Sequence, residues 1–146
     1  MEGAERSVME KRKVLIADDM PTVLDQAKRA VGEKYQIITA ASGAQVMEIA
    51  RGNQLDLIIV DLHMPEMDGF TCLTRLKADW KTRDVPVIIS ATDLSAVMEI
   101  KGFSLGAADF IRKPYTEEIM TVRIETQLKL QEYGKLRKET KEERAT

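Results

Sequence analysis

The chain has 146 residues, a single cysteine and a formal net charge of −2, and hydrophobic residues make up 44% of it. A chain of this length forms one domain of ordinary size and needs no disulfide or structural metal to fold. The near-balanced charge excludes a basic surface field for nucleic acid or an anionic membrane, and no apolar stretch approaches the roughly 18 residues of a membrane span. We expect a cytoplasmic domain, since the start lacks a signal-peptide core and Cys72 has no partner for a disulfide.

Five short apolar runs, rich in β-branched residues and bounded by turn signals, predict five strands. They cover residues 13–18, 35–40, 55–61, 85–91 and 108–113. Three of these runs are almost continuous in Val, Leu and Ile. Such runs are typical of parallel strands that are covered on both faces of the sheet.

Each strand is followed by a stretch in which apolar residues recur at helical spacing. The predicted helices cover residues 20–32, 43–51, 68–79, 93–105 and the chain after Pro114. Pro21 suits a first helical turn, whereas Asp93 and Thr116 suit the N-caps of the fourth and fifth helices. The alternation predicts an α/β fold with helices on both faces of a parallel sheet. Right-handed crossovers favour the flavodoxin-like (βα)5 arrangement with strand order 2-1-3-4-5.

The chain divides into three parts by composition. Residues 13–124 hold all the predicted strands and form the domain, and residues 1–12 are expected to be a flexible N-terminal arm. From Glu125 to the end the sequence is highly charged and helix-forming, which predicts an extension of the fifth helix over residues 125–146. Two interpretations stay open: a solvated extension that frays, or a signalling or dimerisation helix that leads to an output domain.

Three carboxylates gather at one edge of the predicted sheet. The first strand ends in Asp18 and Asp19, and the third, its neighbour, ends in Asp61. Two unit charges about 4 Å apart repel by roughly 4 kcal/mol at an effective dielectric constant near 20, so a counter-charge is required. Mg²⁺ prefers oxygen ligands of this kind and keeps positions for water and phosphate oxygens. Taken without Asp61, the first two carboxylates are better explained as a cap of the first helix or as a chance pair than as a metal site.

Two further polar side chains follow strands of the same sheet. Ser90 closes the fourth strand and Lys113 follows the fifth, so both fall at the edge that holds the carboxylates. Phosphoryl transfer requires acids that bind Mg²⁺, one Asp as acceptor, a hydroxyl and an ammonium, and this edge of the sheet carries all of them. A carboxylate nucleophile that forms an aspartyl phosphate is one known strategy for such chemistry.

Four segments, "ADD", "DLHMPEMDG", "ISATD" and "GAADFIRKPY", occur in this order and spacing. Together they closely resemble the receiver domain of two-component response regulators, over roughly residues 13–124. The resemblance implies that Asp61 is the phosphoacceptor, that Asp19 binds Mg²⁺ directly and that Asp18 assists through water or orientation. It also implies that His63 gives its backbone carbonyl to the metal.

The resemblance also assigns roles around the phosphoryl group. Ser90 would bond a phosphoryl oxygen and swing inward on activation, and Lys113 would pair first with the acceptor and then with the phosphate. Pro114 is a candidate for a cis peptide bond. Phe110 stands where the family has its switch aromatic, with no hydroxyl to contact a partner.

The implied partner is a sensor histidine kinase or a histidine phosphotransfer protein, and phosphorylation would switch the face formed by the fourth helix, fifth strand and fifth helix. A homodimer through that face or through the C-terminal helix is a further expectation. We expect no enzyme activity beyond the domain's own phosphorylation and dephosphorylation. One alternative is a receiver-like docking module that accepts no phosphate. Another is a Mg²⁺-dependent phosphatase with an Asp nucleophile, which His63 disfavours because such enzymes carry a second Asp at that position.

Overall fold

The computed structural model describes residues 10–145, with side chains described for residues 10–137. The strands are β1 (Lys13–Ala17), β2 (Gln36–Ala40), β3 (Leu57–Asp61), β4 (Val87–Ala91) and β5 (Asp109–Arg112). The helices are α1 (Pro21–Val31), α2 (Gly43–Gly52), α3 (Gly69–Ala78), α4 (Ala96–Leu105) and α5 (Glu117–Ala145). Every predicted strand is confirmed to within two residues at either end.

The five strands form one parallel sheet in the order β2-β1-β3-β4-β5, which confirms the predicted topology. In the register of the sheet, Ala17 of β1 pairs with Val60 of β3, and Asp61 of β3 pairs with Ser90 of β4. The strand order reverses between β1 and β3, and ligands of open α/β sheets bind at the carboxyl ends of strands at such a point. The fold therefore places Asp18, Asp61 and Ser90 at that edge.

Two hydrophobic cores lie on opposite faces of the sheet. One core packs Ile59 and Ile88 against α1 and α5, and the other packs Val60 and Ile89 against α2, α3 and α4. The alternation follows from the period of two in a strand, which sends successive side chains to opposite faces. Helices thus cover both faces, and the strands are rigid supports for the side chains at their ends.

The helix starts follow capping chemistry, with one departure from the prediction. Ser95, not Asp93, is the N-cap of α4, and its Oγ accepts a hydrogen bond from the Met98 amide. The prediction of Asp93 was wrong because its carboxylate is used in a contact with His63, far away in the sequence. The predicted cap of α5 is confirmed, since Thr116 Oγ1 accepts a hydrogen bond from the Ile119 amide.

Helix α5 continues without a break far beyond the part that packs on the sheet. Its buried residues Met120, Ile124 and Leu128 belong to the core shared with α1. Farther along, Glu132 forms an ion pair with Arg12, the residue just before β1, which connects the extension to the last residue of the predicted arm. The role of the extension stays a prediction.

Residues 1–9 of the predicted N-terminal arm lie outside the described residues, as do the side chains of the last part of the extension. None of the helices within residues 10–145 combines the length and the hydropathy that a membrane span requires.

Candidate functional site

The structure brings the three predicted carboxylates together. Oxygen atoms of Asp18, Asp19 and Asp61 all lie within 4.8 Å of one another. Asp18 is 0% exposed and Asp61 is 2% exposed, whereas Asp19 lies at the surface. The cluster therefore has two buried carboxylates and one that solvent can reach.

Lys113 is the cation that faces the buried pair. Its Nζ lies 2.8 Å from Asp18 Oδ2 and 3.2 Å from Asp61 Oδ1. Burial alone lowers the pKa of Lys113, but the hydrogen bond to Asp18 and the charge of Asp61 outweigh burial and raise it overall. One ammonium thus serves two buried carboxylates.

The electrostatic consequence appears at Asp61. Burial raises the pKa of the Asp61 carboxyl, and repulsion from Asp18 adds to the rise. Lys113 and the His63 amide, which donates to Asp61 Oδ1 at 3.3 Å, act in the opposite direction without cancelling it. Asp61 is therefore a carboxylate held at a cost in free energy, which additional positive charge would relieve.

Asp18 orders the turn before α1 but does not cap the helix, the role that the sequence left open. Its Oδ1 accepts a hydrogen bond from the Met20 amide at 3.0 Å, just before α1, while its Oδ2 faces Lys113. Met20 is the N-cap of α1 and its own side chain caps nothing. The helix-cap interpretation of Asp18 is therefore wrong, because α1 has no side-chain cap and the Asp18 carboxylate contacts the preceding turn and Lys113.

The donor set fits Mg²⁺ on chemical grounds. It offers only hard carboxylate oxygens, and Lys113 neutralises one of three negative charges, so the described site is short of positive charge. Asp18, Asp19 and Asp61 would hold the ion, and Mg²⁺ uses few carboxylates and completes its shell with water or phosphate oxygens. The assignment of the His63 carbonyl as a ligand stays a prediction.

Ser90 lies beside Asp61 in the register of the sheet, as predicted, but its hydroxyl has an unpredicted partner. The Tyr115 hydroxyl donates a hydrogen bond to Ser90 Oγ at 3.0 Å, and both residues are buried. No role for Tyr115 was predicted from the sequence. The signal available was its place two residues after Lys113, although sequence alone does not show where its ring points.

The segment around Lys113 has the two backbone and packing features expected of it. The Lys113–Pro114 peptide bond is cis, as predicted. Phe110 is buried, and its ring meets that of Phe103 edge-on with centroids 5.0 Å apart. Gly102 of α4 leaves the space for the ring, since a Cβ there would lie 2.3 Å from Phe110 Cζ.

Two side chains hold the loop between β4 and α4: Asp93, which the sequence predicted as a helix cap, and Arg112, for which it predicted no role. On one side, Asp93 Oδ1 lies 2.8 Å from His63 Nε2, and this contact lowers the pKa of Asp93. On the other side, the Arg112 guanidinium donates to the backbone oxygens of Thr92 and Leu94. The loop that follows Ser90 is therefore fastened to the loop after Asp61 and to the end of β5.

Gly69, at the start of α3, lies directly behind the backbone of Asp61. A Cβ at this position would lie 2.7 Å from the Asp61 carbonyl oxygen and 2.8 Å from Leu62 Cα. We expect Gly69→Ala to lower the free energy of unfolding by about 1–3 kcal/mol, because backbone atoms must move to admit the methyl group. Thermal unfolding checks this result. Gly52→Ala is the matched control, since nothing lies within 4 Å of a Cβ there, and equal stabilities of the two variants would contradict the close-approach argument.

Comparison with known proteins places this geometry in a family. Residues 14–125 match the model of the response regulator receiver domain. The chain is 38% identical over 119 residues to the response regulator GtcR of Aneurinibacillus migulanus, covering 81% of this chain and 48% of that protein. It is 35% identical over 119 residues to the DNA-binding dual master transcriptional regulator RpaA of Synechocystis, covering 80% and 49%. The chain spans about half the length of these curated relatives.

A solved structure agrees with the sequence relatives. The chemotaxis protein CheY4 of Vibrio cholerae superposes with a TM-score of 0.78 at 25% identity, covering 81% of this chain and 99% of that one. The family match includes the acid cluster, Ser90, Lys113 and most of the five-stranded sheet. The chain belongs to the response regulator receiver domain family of two-component signalling systems.

Proposed function

We propose that this domain accepts a phosphoryl group on Asp61 from the phosphohistidine of a sensor histidine kinase or histidine phosphotransfer protein, in the presence of Mg²⁺. The observation that carries the proposal is the buried Asp61 carboxylate, which shares Lys113 with Asp18 and lies within a 4.8 Å group of three carboxylates. Such a cluster does not stabilise a protein core, because burying charged groups costs free energy even when they are paired. Phosphoryl transfer to Asp61 is a function that requires these groups.

The step that we propose uses groups already in place. An oxygen of Asp61 attacks phosphorus, the new P–O bond forms as the P–N bond breaks, and the electron pair returns to the histidine nitrogen. Lys113, 3.2 Å from Asp61 Oδ1, lies where it can neutralise charge on the transferred group. Bound Mg²⁺ would supply further positive charge against the phosphoryl oxygens. Dephosphorylation is attack by water on the same phosphorus, which restores the carboxylate and releases inorganic phosphate.

Phosphorylation would be read out through the face formed by α4, β5 and α5. The new group adds about −1.5 to −2 charge, which would draw Ser90 and Lys113 toward it. Phe110, which now packs against Phe103 and Gly102 of α4, would then fill the space that Ser90 leaves. The same face carries exposed apolar side chains that suit a partner or a second copy of the domain. On α4 and α5 these are Val97, Ile100, Phe103, Ile119 and Val122.

The wider setting follows from the proposal. A receiver that takes phosphoryl groups from a kinase works in the cytoplasm, where ATP supplies them, and needs no contact with membrane or nucleic acid by this domain.

Exposed Leu130, Tyr133 and Leu136 on the extension of α5 suit a helix that joins the receiver to an output domain or pairs with its copy. Sedimentation of the chain with and without a phosphoryl analogue tests the pairing.

Gly102→Ala should displace the Phe110 ring, because the new Cβ would lie 2.3 Å from Phe110 Cζ. We expect Phe110 ring resonances to shift, and the variant to lose about 1–3 kcal/mol through overpacking, less the roughly 1 kcal/mol that Ala gains over Gly in a helix. NMR of the aromatic side chains measures the first effect and thermal unfolding the second.

Gly134→Ala is the control for this substitution, as nothing lies within 4 Å of a Cβ there. That variant should become more stable and leave Phe110 unchanged. Unaltered Phe110 resonances in Gly102→Ala would contradict the packing that underlies the readout.

The direct test of the proposed switch is titration with beryllofluoride, a phosphoryl analogue, in the presence of Mg²⁺. We expect backbone NMR signals near Asp61 and over residues 90–113 to shift together in the wild-type chain, and to stay unchanged in Asp61→Asn. Shifts confined to Asp61 would contradict the proposed change of the face formed by α4, β5 and α5. No shifts at all at saturating analogue would favour a docking module that never accepts phosphate.

A further inference from the structure

The hydrogen bond between Tyr115 and Ser90 has no role in the function proposed so far. Tyr115 is 4% exposed and Ser90 is 0% exposed, so neither hydroxyl can exchange its partner for bulk water. Within residues 10–137 the structure gives neither hydroxyl another hydrogen-bond partner in the protein. Among the described residues, the two buried hydroxyls are thus hydrogen-bonded only to each other.

The position of this pair ties it to the phosphoryl site. Ile59 and Ile88 lie in the same core as Tyr115, and Asp61 and Ser90 come two residues after them along their strands. Strand alternation therefore directs Asp61, Ser90 and the Tyr115 ring toward the same face of the sheet. Tyr115 also follows the cis Lys113–Pro114 bond directly, so one short segment supplies a contact to Asp61 and a contact to Ser90.

The Tyr115 hydroxyl keeps its proton and so remains a hydrogen-bond donor. Burial raises the pKa of its hydroxyl, and the nearby charges of Asp18 and Asp61 add to the rise. It therefore stays protonated at every pH at which the protein works. Ser90 Oγ cannot move toward a phosphoryl oxygen without changing this contact, and a buried hydroxyl that loses its partner costs free energy.

We propose that Tyr115 is a positioning residue that holds Ser90 in its unphosphorylated orientation and so sets the free-energy threshold of the switch. This inference rests on the proposed function, because it assumes that Ser90 turns to bond the phosphoryl group on Asp61. When Ser90 turns, the Tyr115 hydroxyl is left without its acceptor. Tyr115 thus opposes the active state, and its hydroxyl acts through Ser90 without touching the reacting atoms.

The test compares beryllofluoride affinities in saturating Mg²⁺, measured by ¹⁹F NMR on the full chain. Tyr115→Phe removes the phenol oxygen and keeps the ring, so the Ser90 contact is no longer lost on activation. We expect this variant to bind beryllofluoride about three- to tenfold more tightly than wild type, the factor that one intramolecular hydrogen bond contributes. An unchanged or weaker affinity would overturn the inference.

A double-mutant cycle separates positioning from a general structural role. In a Ser90→Ala background the effect of Tyr115→Phe should disappear, because the acceptor is already gone. If the effect persists there, Tyr115 does not act through Ser90 and the inference fails. Tyr35→Phe is the matched control, since Tyr35 is also buried but precedes β2 at the opposite end of the sheet, and its affinity should equal that of wild type.

The outcome for the wild-type chain distinguishes the two proposals. Wild-type protein that fails to bind beryllofluoride contradicts the proposed function and this inference with it. Wild-type protein that binds it with the same affinity as Tyr115→Phe contradicts the role of Tyr115 alone.

Discussion

Replacing Lys113 with Met should lower the free energy of unfolding by about 3 kcal/mol at neutral pH without divalent cations, since removal of one partner leaves buried charge uncompensated. Met keeps most of the side-chain length and removes only the ammonium, which lies 2.8 Å from Asp18 Oδ2 and 3.2 Å from Asp61 Oδ1. The two carboxylates would then face each other with no cation in the described site. Denaturant unfolding in a chelating buffer measures the loss.

The same substitution should strengthen Mg²⁺ binding. Lys113 and a divalent cation compete for the same carboxylates, so the variant should bind Mg²⁺ about tenfold more tightly, the effect of removing roughly 1.4 kcal/mol of repulsion. Added Mg²⁺ should then restore much of the lost stability, because a ligand that binds the folded state stabilises it. Isothermal titration measures the affinity.

Lys34→Met provides the control for charge removal, because Lys34 is exposed and lies just before β2, away from the cluster. It should change neither stability nor Mg²⁺ affinity appreciably. Weaker Mg²⁺ binding in Lys113→Met than in wild type would show that the ammonium and the metal do not share the carboxylates.

Asp61→Asn should abolish phosphoryl acceptance and at the same time stabilise the folded chain. The amide cannot act as the nucleophile, and it removes a carboxylate whose pKa is raised first by burial and then by Asp18. We expect the melting temperature at neutral pH to rise by roughly 3–6 °C, for a gain of about 1 kcal/mol in a domain of this size. Differential scanning calorimetry without divalent cations measures the gain.

The pH dependence of this gain has a definite sign. A carboxyl whose pKa is raised in the folded state binds its proton more tightly there than in the unfolded chain, so wild-type stability falls as pH rises from 3.8 through the folded pKa. The advantage of Asp61→Asn should therefore be absent near the unfolded pKa, grow through that window and stay constant above it. An advantage that is largest in acid would contradict the assignment of Asp61 as an unfavourably buried carboxylate.

The fold was predictable because each strand is a short, nearly continuous apolar run and each crossover has few right-handed solutions. The carboxylates of the site were predictable from the topology, because Asp18 directly follows β1 and Asp61 ends the neighbouring strand β3. The predicted boundaries extended one or two residues too far where polar or Pro residues flank a run, as at Pro86 before β4.

The remainder of the site depended on side-chain directions that a linear pattern does not contain. Asp93 is a good N-cap by type, but its contact with His63 spans 30 positions and left the cap of α4 to Ser95. The Tyr115 hydroxyl reaches Ser90 across 25 positions. Both contacts lie at the carboxyl edge of the sheet and join segments far apart in the chain, where spacing along the sequence gives no guide to distance.

The most direct measurement of the central claim is covalent labelling of the chain by a small phosphoryl donor such as acetyl phosphate, followed by mass spectrometry of its peptides. We expect one phosphoryl group per chain, carried by the peptide that contains Asp61, present with Mg²⁺ and absent with a chelator or in Asp61→Asn. A label on another residue, labelling that ignores Mg²⁺, or steady release of phosphate from generic esters without a labelled Asp61 would contradict the account.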